Sequence, residues 1–140
     1  MQINFLAVLV CGVLSMVLGF IWYGPILFGK KWMEVMGVNK MTEEQKKSMM
    51  KNSWKLYSLQ FLLTLFELYV LSWYIQTLSD TSTGVHTAFS IWIAFLVPTI
   101  AGSAMWNGDT KRIAWNRFLI QVGYQFVLFI ICGYILSVWI

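Results

Sequence analysis

Charged side chains are scarce in this sequence, and its lysines and arginines are confined to residues 30–55 and 111–117. Charged residues make up 11% of the 140 residues and hydrophobic residues 59%. A soluble domain of this length cannot bury so much apolar surface, which excludes that class and predicts one membrane domain over residues 1–140. The net charge of +4 could suit nucleic acid. Because the basic residues adjoin apolar runs, we instead expect anionic lipid headgroups as partners and no nucleic acid.

The first apolar run lacks the features of a cleaved signal peptide. No basic residue precedes it, and no small-residue cleavage site follows it, so we expect a retained span. The two cysteines, Cys11 and Cys132, both lie within apolar runs. Since no second ligand pair has metal spacing, we interpret them as packing residues rather than as a metal site or a disulfide.

Sequence motifs of catalysis are also missing. There is no His/Asp/Glu cluster at metal spacing, no glycine-rich phosphate loop and no nucleophile with an evident base. His86 and Asp109 fall on opposite faces of the predicted membrane domain. We therefore expect neither an enzyme nor a cofactor.

Four apolar runs are each long enough to cross about 30 Å of hydrocarbon. They cover residues 3–23, 54–78, 85–106 and 113–140, and turn-forming residues separate them, as at 79–84. The predicted fold is an all-α integral membrane protein, a four-transmembrane-helix bundle with an amphipathic interfacial segment in the first loop, residues 24–53. Within that loop, Thr42 and Gln45 form a capping-box pattern, from which a helix could continue into the second span.

The distribution of basic residues predicts the orientation. The first loop, up to its junction with the second run at Lys55, and the third loop hold all of them except Arg117, which lies just beyond the third loop, whereas the second loop and both termini hold none. Because cytoplasmic loops collect Lys and Arg, we expect loops one and three in the cytoplasm and both termini outside a cytoplasmic membrane.

Small residues recur every four positions along two spans, which favours close helix approach. In the first span they are Ala7, Cys11, Ser15 and Gly19, and in the third Ser90, Ala94, Pro98 and Gly102. Pro98 should also kink its helix and free a carbonyl that Thr99 or Ser103 could help satisfy. The two stripes and the polar residues of the other spans together provide more helix-contact surface than the four helices of one chain require. We therefore expect a homo-oligomer.

Polar residues form two further lines near mid-bilayer, which we predict to face each other as a candidate intramembrane polar site. The second span contributes Gln60, Thr64 and Glu67, and the fourth contributes Arg117, Gln121, Tyr124 and Gln125. We expect Glu67 to hydrogen-bond Gln125 or Tyr124. As the only acid within a span, Glu67 is either a proton or cation site or a neutral hydrogen-bond clamp between helices, and we favour the clamp.

Residues 19–33, GFIWYGPILFGKKWM, contain Trp-Tyr, Pro, Phe-Gly-Lys and Trp in sequence, and residues 116–125, NRFLIQVGYQ, contain a polar residue after Gly-Tyr. The first stretch resembles the signature, and the second the last-helix pattern, of the bacterial membrane-protein family named domain of unknown function 1761. The resemblance implies a small four-helix membrane protein whose activity is unassigned. Glu67 belongs to neither motif.

The first motif also has a physical interpretation as an interfacial anchor. Aromatic residues hold the helix end at the interface, proline stops the helix, and lysines meet phosphates while the later aromatics return to the membrane. The residues are Trp22, Tyr23, Pro25, Phe28, Lys30, Lys31 and Trp32. The same motif could equally be the rim of a binding site.

Two functions are therefore considered from the sequence. The favoured one is a non-enzymatic membrane protein with a structural, regulatory or binding role. The alternative is a small oligomeric transporter or channel in which Glu67 is the site for a proton, a cation or a polar solute.

Overall fold

The computed structural model describes residues 2–78 and 83–139, except for the side chain of Thr83, and these residues are largely helical. The helices are α1 (Phe5–Trp22), α2 (Gly29–Val35), α3 (Glu43–Thr77), α4 (Thr83–Ile91), α5 (Val97–Met105) and α6 (Lys111–Val138). A 3₁₀ turn at Val38–Lys40 leads into α3, and a π-helical turn at Trp92–Leu96 joins α4 to α5. The predicted turn at 79–84 lies mostly outside the described residues.

Four helical segments are long and apolar enough to cross a membrane: Phe5–Trp22, Glu43–Thr77, Gly84–Met105 and Lys111–Val138. They correspond to the four predicted runs, so the all-helical prediction is confirmed. The helix limits differ because capping residues, rather than hydropathy, decide where a helix begins. Asn4 caps α1 through its side-chain oxygen, which accepts from the Ala7 amide at 3.1 Å.

Helix α3 starts at the predicted capping box. The Thr42 hydroxyl accepts from the Gln45 amide at 3.2 Å, and the Gln45 side chain accepts from the Thr42 amide at 3.0 Å. From there the helix runs for 35 residues without a break. At 1.5 Å per residue it is about 52 Å long, more than the apolar thickness of a bilayer, so its lysine-rich first turns extend beyond the apolar part.

The third apolar segment contains a π-helical turn just before Pro98, where the sequence predicts a kink. Proline has no amide hydrogen to donate, and just before it the helix widens by one residue into the π-helical turn, in which the Val97 amide bonds to the Trp92 carbonyl. The Trp92 indole then donates to the Val122 carbonyl of α6 at 3.0 Å.

Helix α6 packs against α1, α3, α4 and α5 and so occupies the centre of the bundle. We call the end of the bundle that carries loops one and three the basic end, and the other end the opposite end. Most fully buried side chains lie toward the opposite end, including Cys11, Leu68, Leu71, Phe129 and Leu136. At the opposite end, the side-chain amide of Asn4 also donates to the Trp139 carbonyl at 3.4 Å.

Helices α4 and α6 cross with their backbones close together. A Cβ added at Gly133 would lie 2.6 Å from the Ala88 Cβ and 2.9 Å from the Gly84 carbonyl oxygen. Backbones can approach this closely only because both helices present glycine at the crossing.

One of the two predicted small-residue stripes makes the expected contacts. Ala7, Cys11 and Ser15 of α1 are buried. The stripe of the third span makes no close contact inside the bundle, because Ser90, Ala94 and Pro98 are exposed in the described chain. A Cβ added at Gly102 would meet nothing within 4 Å. The contact with α6 uses the adjacent face instead, since the Gly84–Gly133 crossing sets the rotation of the helix.

Candidate functional site

A cavity of about 750 Å³ lies in the half of the bundle nearest the basic end. Four helices surround it, each through residues near that end: α1 after Ser15, α3 at Tyr57 and Gln60, α5 at Thr99 to Ser103, and α6 around Tyr124. Helix α3 packs against α4, but not appreciably against α5. Because Tyr57, Gln60, Thr99 and Ser103 are all exposed, the cavity opens to the side between α3 and α5.

The cavity wall is polar but uncharged. It combines amides and hydroxyls with apolar and aromatic side chains, and no charged residue lines it in the part of the chain that the structure describes. The polar groups are those of Ser15, Gln60, Thr99, Ser103, Gln121 and Gln125, with the phenols of Tyr23, Tyr57 and Tyr124. Such a wall can hydrogen-bond a neutral group, but it offers no counter-ion to a charged one.

Several of these polar groups are already bonded within the protein. The Tyr124 hydroxyl donates to the Ser15 carbonyl at 2.8 Å, which fixes its ring between α1 and α6. The Gln60 amide donates to the Thr64 hydroxyl at 3.2 Å. In contrast, Oε1 of Gln125 is buried and has no hydrogen-bond partner among the described residues.

Aromatic side chains close the cavity at the basic end. The Tyr23 ring lies 4.7 Å from Trp32 and 5.4 Å from Tyr124, measured between ring centroids. On the other side, Phe20 lies 6.0 Å from Tyr57 and bridges α1 to α3. The cavity therefore has an aromatic floor as well as a polar wall.

The turn after α1 places Trp32 in this floor. The chain reverses through bonds from the Phe28 amide to the Trp22 carbonyl, 3.1 Å, and from the Gly29 amide to the Gly24 carbonyl, 2.9 Å. Gly29 is needed for this close approach, because an added Cβ would lie 2.6 Å from the Gly24 carbonyl carbon. The Trp22 indole donates to the Ile120 carbonyl at 2.8 Å and ties the turn to α6.

One ion pair and one hydrogen bond join α2 to α6 at the basic end. Arg117 of α6 pairs with Asp109 at 2.9 Å, and its guanidinium also donates to the Val35 carbonyl at the end of α2, 3.1 Å. Glu34 of α2 pairs with Arg112. The Arg117 side chain is 14% exposed and that of Arg112 is 70% exposed, so the first contact is the more shielded from solvent.

The structure brings together most of the polar residues singled out in the sequence. Gln60, Gln121, Tyr124 and Gln125 line the cavity, and Thr64 is buried beside Gln60. Glu67 and Arg117 are not part of the lining. Arg117 belongs to the ion pairs below the floor, and Glu67 lies about one turn beyond Thr64, toward the opposite end.

The hydrogen bond expected from Glu67 to Gln125 or Tyr124 is not formed. The Tyr124 hydroxyl donates to the Ser15 carbonyl instead. Within the described residues, the half-buried Glu67 carboxylate has no hydrogen-bond or ion-pair partner. Helix periodicity placed the two lines of polar residues on facing sides, but it could not show that α1 supplies a nearer acceptor.

The predicted anchor motif divides into two groups. Lys30, Lys31 and Pro25 are exposed, whereas Trp22, Phe28 and Trp32 are half-buried. Rings of Trp22 and Phe28 pack 5.0 Å apart, and Trp32 with Tyr23 lines the cavity. The aromatic part of the motif is therefore at the edge of the cavity, which favours the binding-site rim among the two interpretations.

Thr99 and Ser103 were not predicted to belong to this site. They had been considered only as partners for the backbone near Pro98, whereas Tyr57 was expected to continue the polar line of Gln60 and Thr64. The four-residue spacing of the two hydroxyls is the one available signal. It predicts a shared helix face, but not that the face borders a cavity.

Comparison with protein families gives one match. The family described as "Protein of unknown function (DUF1761)" matches residues 6–137, nearly the whole chain. Comparisons with curated proteins and with solved structures found no match.

Proposed function

The chain belongs to the DUF1761 family, and because the family's description assigns no activity, we propose a function from the cavity itself. The protein is a non-enzymatic membrane protein that binds a small amphipathic molecule between α3 and α5. The single observation that carries this proposal is the uncharged, partly aromatic cavity of about 750 Å³.

Size and composition both support a binding role. Small-molecule sites commonly measure roughly 300–1,000 Å³ and combine apolar walls with a few polar groups. The lateral opening between α3 and α5 adjoins side chains that face the surroundings, such as Leu59, 54% exposed, and Met105, 71% exposed. A molecule dissolved in the bilayer could therefore reach the cavity without crossing the basic end.

Photo-crosslinking tests the proposal. The protein, reconstituted in lipid nanodiscs, is irradiated with single-chain amphiphiles that carry a diazirine in the chain, and labelled peptides are identified by mass spectrometry. We expect saturable labelling of cavity residues on α5 and α6. Ser103→Trp fills the cavity and should abolish this labelling, whereas Met105→Trp adds the same indole outside the lining and should preserve it. Labelling equal in both variants and spread over all lipid-facing helices contradicts the proposal.

The transport alternative has a different structural requirement. A path past Glu67 has to continue through the half of the bundle at the opposite end, where Leu68, Leu71 and Phe129 are buried together. Flux of protons, cations and small solutes into liposomes, compared with Glu67→Gln, distinguishes the two functions. We expect no flux from the wild type; flux that disappears in Glu67→Gln would favour transport.

For the orientation, we propose that the basic end faces the cytoplasm and that both termini lie on the other side of the inner membrane. The exposed Lys30 and Lys31 support contact with anionic headgroups at that end. Labelling of Asn39→Cys and Gln2→Cys by a membrane-impermeant thiol reagent from each side tests this arrangement, because the two sites should react from opposite sides.

We also propose a homo-oligomer, supported by the exposed small residues of the third apolar segment. Ser90, Ala94 and Pro98 lie on one helix face, and all three are exposed. Oxidative crosslinking of Ala94→Cys in native membranes should give a dimer. Phe95→Cys, on a different face of the same turn, is the matched control.

A further inference from the structure

We propose that α5 is a gate, a segment that pivots at the π-helical turn before Pro98 and thereby changes the width of the opening between α3 and α5. This inference concerns the regulation of the proposed binding site, and it rests on the proposed function because that opening is the entrance to the cavity. Three observations carry it: a break in the helix before α5, a glycine turn after it, and little packing of α5 in between.

The first observation is the break between α4 and α5. The helix widens at Trp92–Leu96, where the Val97 amide bonds to the Trp92 carbonyl in the π-helical manner. Pro98 then supplies no amide hydrogen to the preceding turn. Because regular bonds between residues four apart stiffen a helix, a π-helical turn followed by proline is a place where two helical segments can change their angle.

The second observation is the turn that follows α5. Gly108 has a φ of 76°, in the left-handed region that favours glycine, and an added Cβ there would meet nothing within 4 Å. Trp106, between α5 and this glycine, is 87% exposed. The chain around Gly108 is therefore free of close packing, and its angle can change when α5 tilts.

The chain is joined to α6 beyond each of these two points. On one side, α4 crosses α6 closely at Gly133, and the Trp92 indole bonds to the Val122 carbonyl. On the other side, Asp109 pairs with Arg117 at 2.9 Å. Helix α5 is therefore a short segment whose two flanks are held, so that it can tilt without leaving the bundle.

The third observation is the limited packing of α5 itself. Ala104 is its only buried residue. Helix α4 packs against both α3 and α6, whereas α5 packs against α6 but not appreciably against α3. Thr99 and Ser103, which line the cavity, are exposed. Since α5 has little packing against α3 to lose, a tilt toward or away from α3 should require little free energy.

Distances between spin labels test this movement. Nitroxides are attached to Leu59→Cys and Met105→Cys beside the opening and, as the fixed reference, to Tyr74→Cys and His86→Cys on α3 and α4; all four positions are exposed. Each labelled protein is diluted with unlabelled protein in nanodiscs, and the wild type, whose cysteines are buried, is the labelling blank. We expect the distance distribution across the opening to be about twofold broader than the reference distribution. Equal widths overturn the inference.

Two variants locate the pivot. Pro98→Ala restores an amide donor to the helix and should narrow the distribution across the opening to the width of the reference. Val97→Ala changes the adjacent side chain but keeps the proline, so it should leave the distribution broad. A distribution that stays broad in Pro98→Ala overturns the assignment of the pivot. Should Pro98→Ala fail to fold, the comparison of the two label pairs without it still decides whether α5 moves.

A crosslink tests whether the movement controls entry to the cavity. A short bis-maleimide joins Leu59→Cys to Met105→Cys before the photoreactive amphiphile is added, and a long flexible bis-maleimide is the matched control. We expect the short link to lower labelling of cavity peptides about tenfold relative to the long link. Equal labelling with both links overturns the gate, while the binding role stands. If no protein is labelled in the cavity although the opening varies in width, the proposed function fails and the movement of α5 stands.

Discussion

The two halves of the bundle are built from the same helices but are packed in opposite ways. Toward the opposite end, small residues let α4 and α6 cross closely, and Leu68, Phe129 and Leu136 fill the space between the helices. Toward the basic end, α3 and α5 make no appreciable contact and border a cavity with a polar wall. A close-packed half can hold helices in place while the other half stays open for a ligand.

The difference arises from the size and polarity of the residues that face the bundle axis. Glycine and alanine at the α4–α6 crossing permit backbone contact, and large aliphatic side chains fill what remains. At the level of Gln121 and Gln125 the facing residues are amides and hydroxyls, which require partners rather than close packing. The turn with Trp32 and the ion pairs under α2 close this half at its end.

The largest loss of stability is expected when one methyl group is added in the close-packed half. Gly133→Ala places a Cβ 2.6 Å from the Ala88 Cβ, so the helices have to separate. We expect a loss of between about 2 and 3 kcal/mol in unfolding free energy, measured by denaturation in mixed micelles. Gly102→Ala, where nothing lies within 4 Å, should lose no stability. Equal losses of unfolding free energy in the two variants would show that the helices are not closely packed at Gly133.

The next largest effect is expected at the ion pairs below the cavity. Arg117→Gln leaves the mostly buried Asp109 carboxylate unpaired and removes a bond to the Val35 carbonyl. We expect a loss of about 1.5 kcal/mol and faster amide exchange in α2, measured by hydrogen–deuterium exchange. Arg112→Gln removes a more exposed pair and should lose less than about 1 kcal/mol. Unchanged exchange in α2 would mean that Arg117 does not hold it.

A smaller change is expected at the boundary between the halves. Tyr124→Phe deletes the hydroxyl that bonds to the Ser15 carbonyl, and should lower stability by about 1 kcal/mol while leaving the ring in place. Tyr134→Phe is the matched control, because that ring is 60% exposed and its hydroxyl has no bond in the described chain. Equal stability of the two variants would show that the Tyr124 bond is not needed to join α1 to α6.

The smallest effect on stability is expected inside the cavity. Ser103→Trp inserts a large ring into existing space, so the free energy of unfolding should change by less than about 0.5 kcal/mol although ligand labelling is lost. Thermal denaturation, measured alongside the crosslinking assay, distinguishes a loss of stability from a loss of ligand labelling. A large loss of stability would indicate that this half is close-packed as well, and it would contradict the difference in packing between the two halves.

The features that could be predicted from the sequence are those that depend on residues close together in the chain. The capping box at Thr42 depends on residues three apart, and the four apolar runs depend on hydropathy alone, so both were predictable. The grouping of Gln60, Gln121 and Gln125 followed from helix spacing and similar depth. In contrast, the rotation of the third apolar segment depends on the Gly84–Gly133 crossing, 49 positions apart in sequence, so the sequence could not show that Ser90, Ala94 and Pro98 are exposed.

The amino-acid sequence by itself determined that this protein forms long apolar helices and that its basic residues gather at one end, because hydropathy, capping and charge act within a few residues. Only the tertiary structure decided that Oε1 of Gln125 has no hydrogen-bond partner among the described residues while Tyr124 bonds to Ser15, and that Glu67 is not part of the cavity lining. The physical reason is that hydrogen bonding inside a membrane domain depends on which helix supplies the nearest donor or acceptor, and helix packing sets that distance.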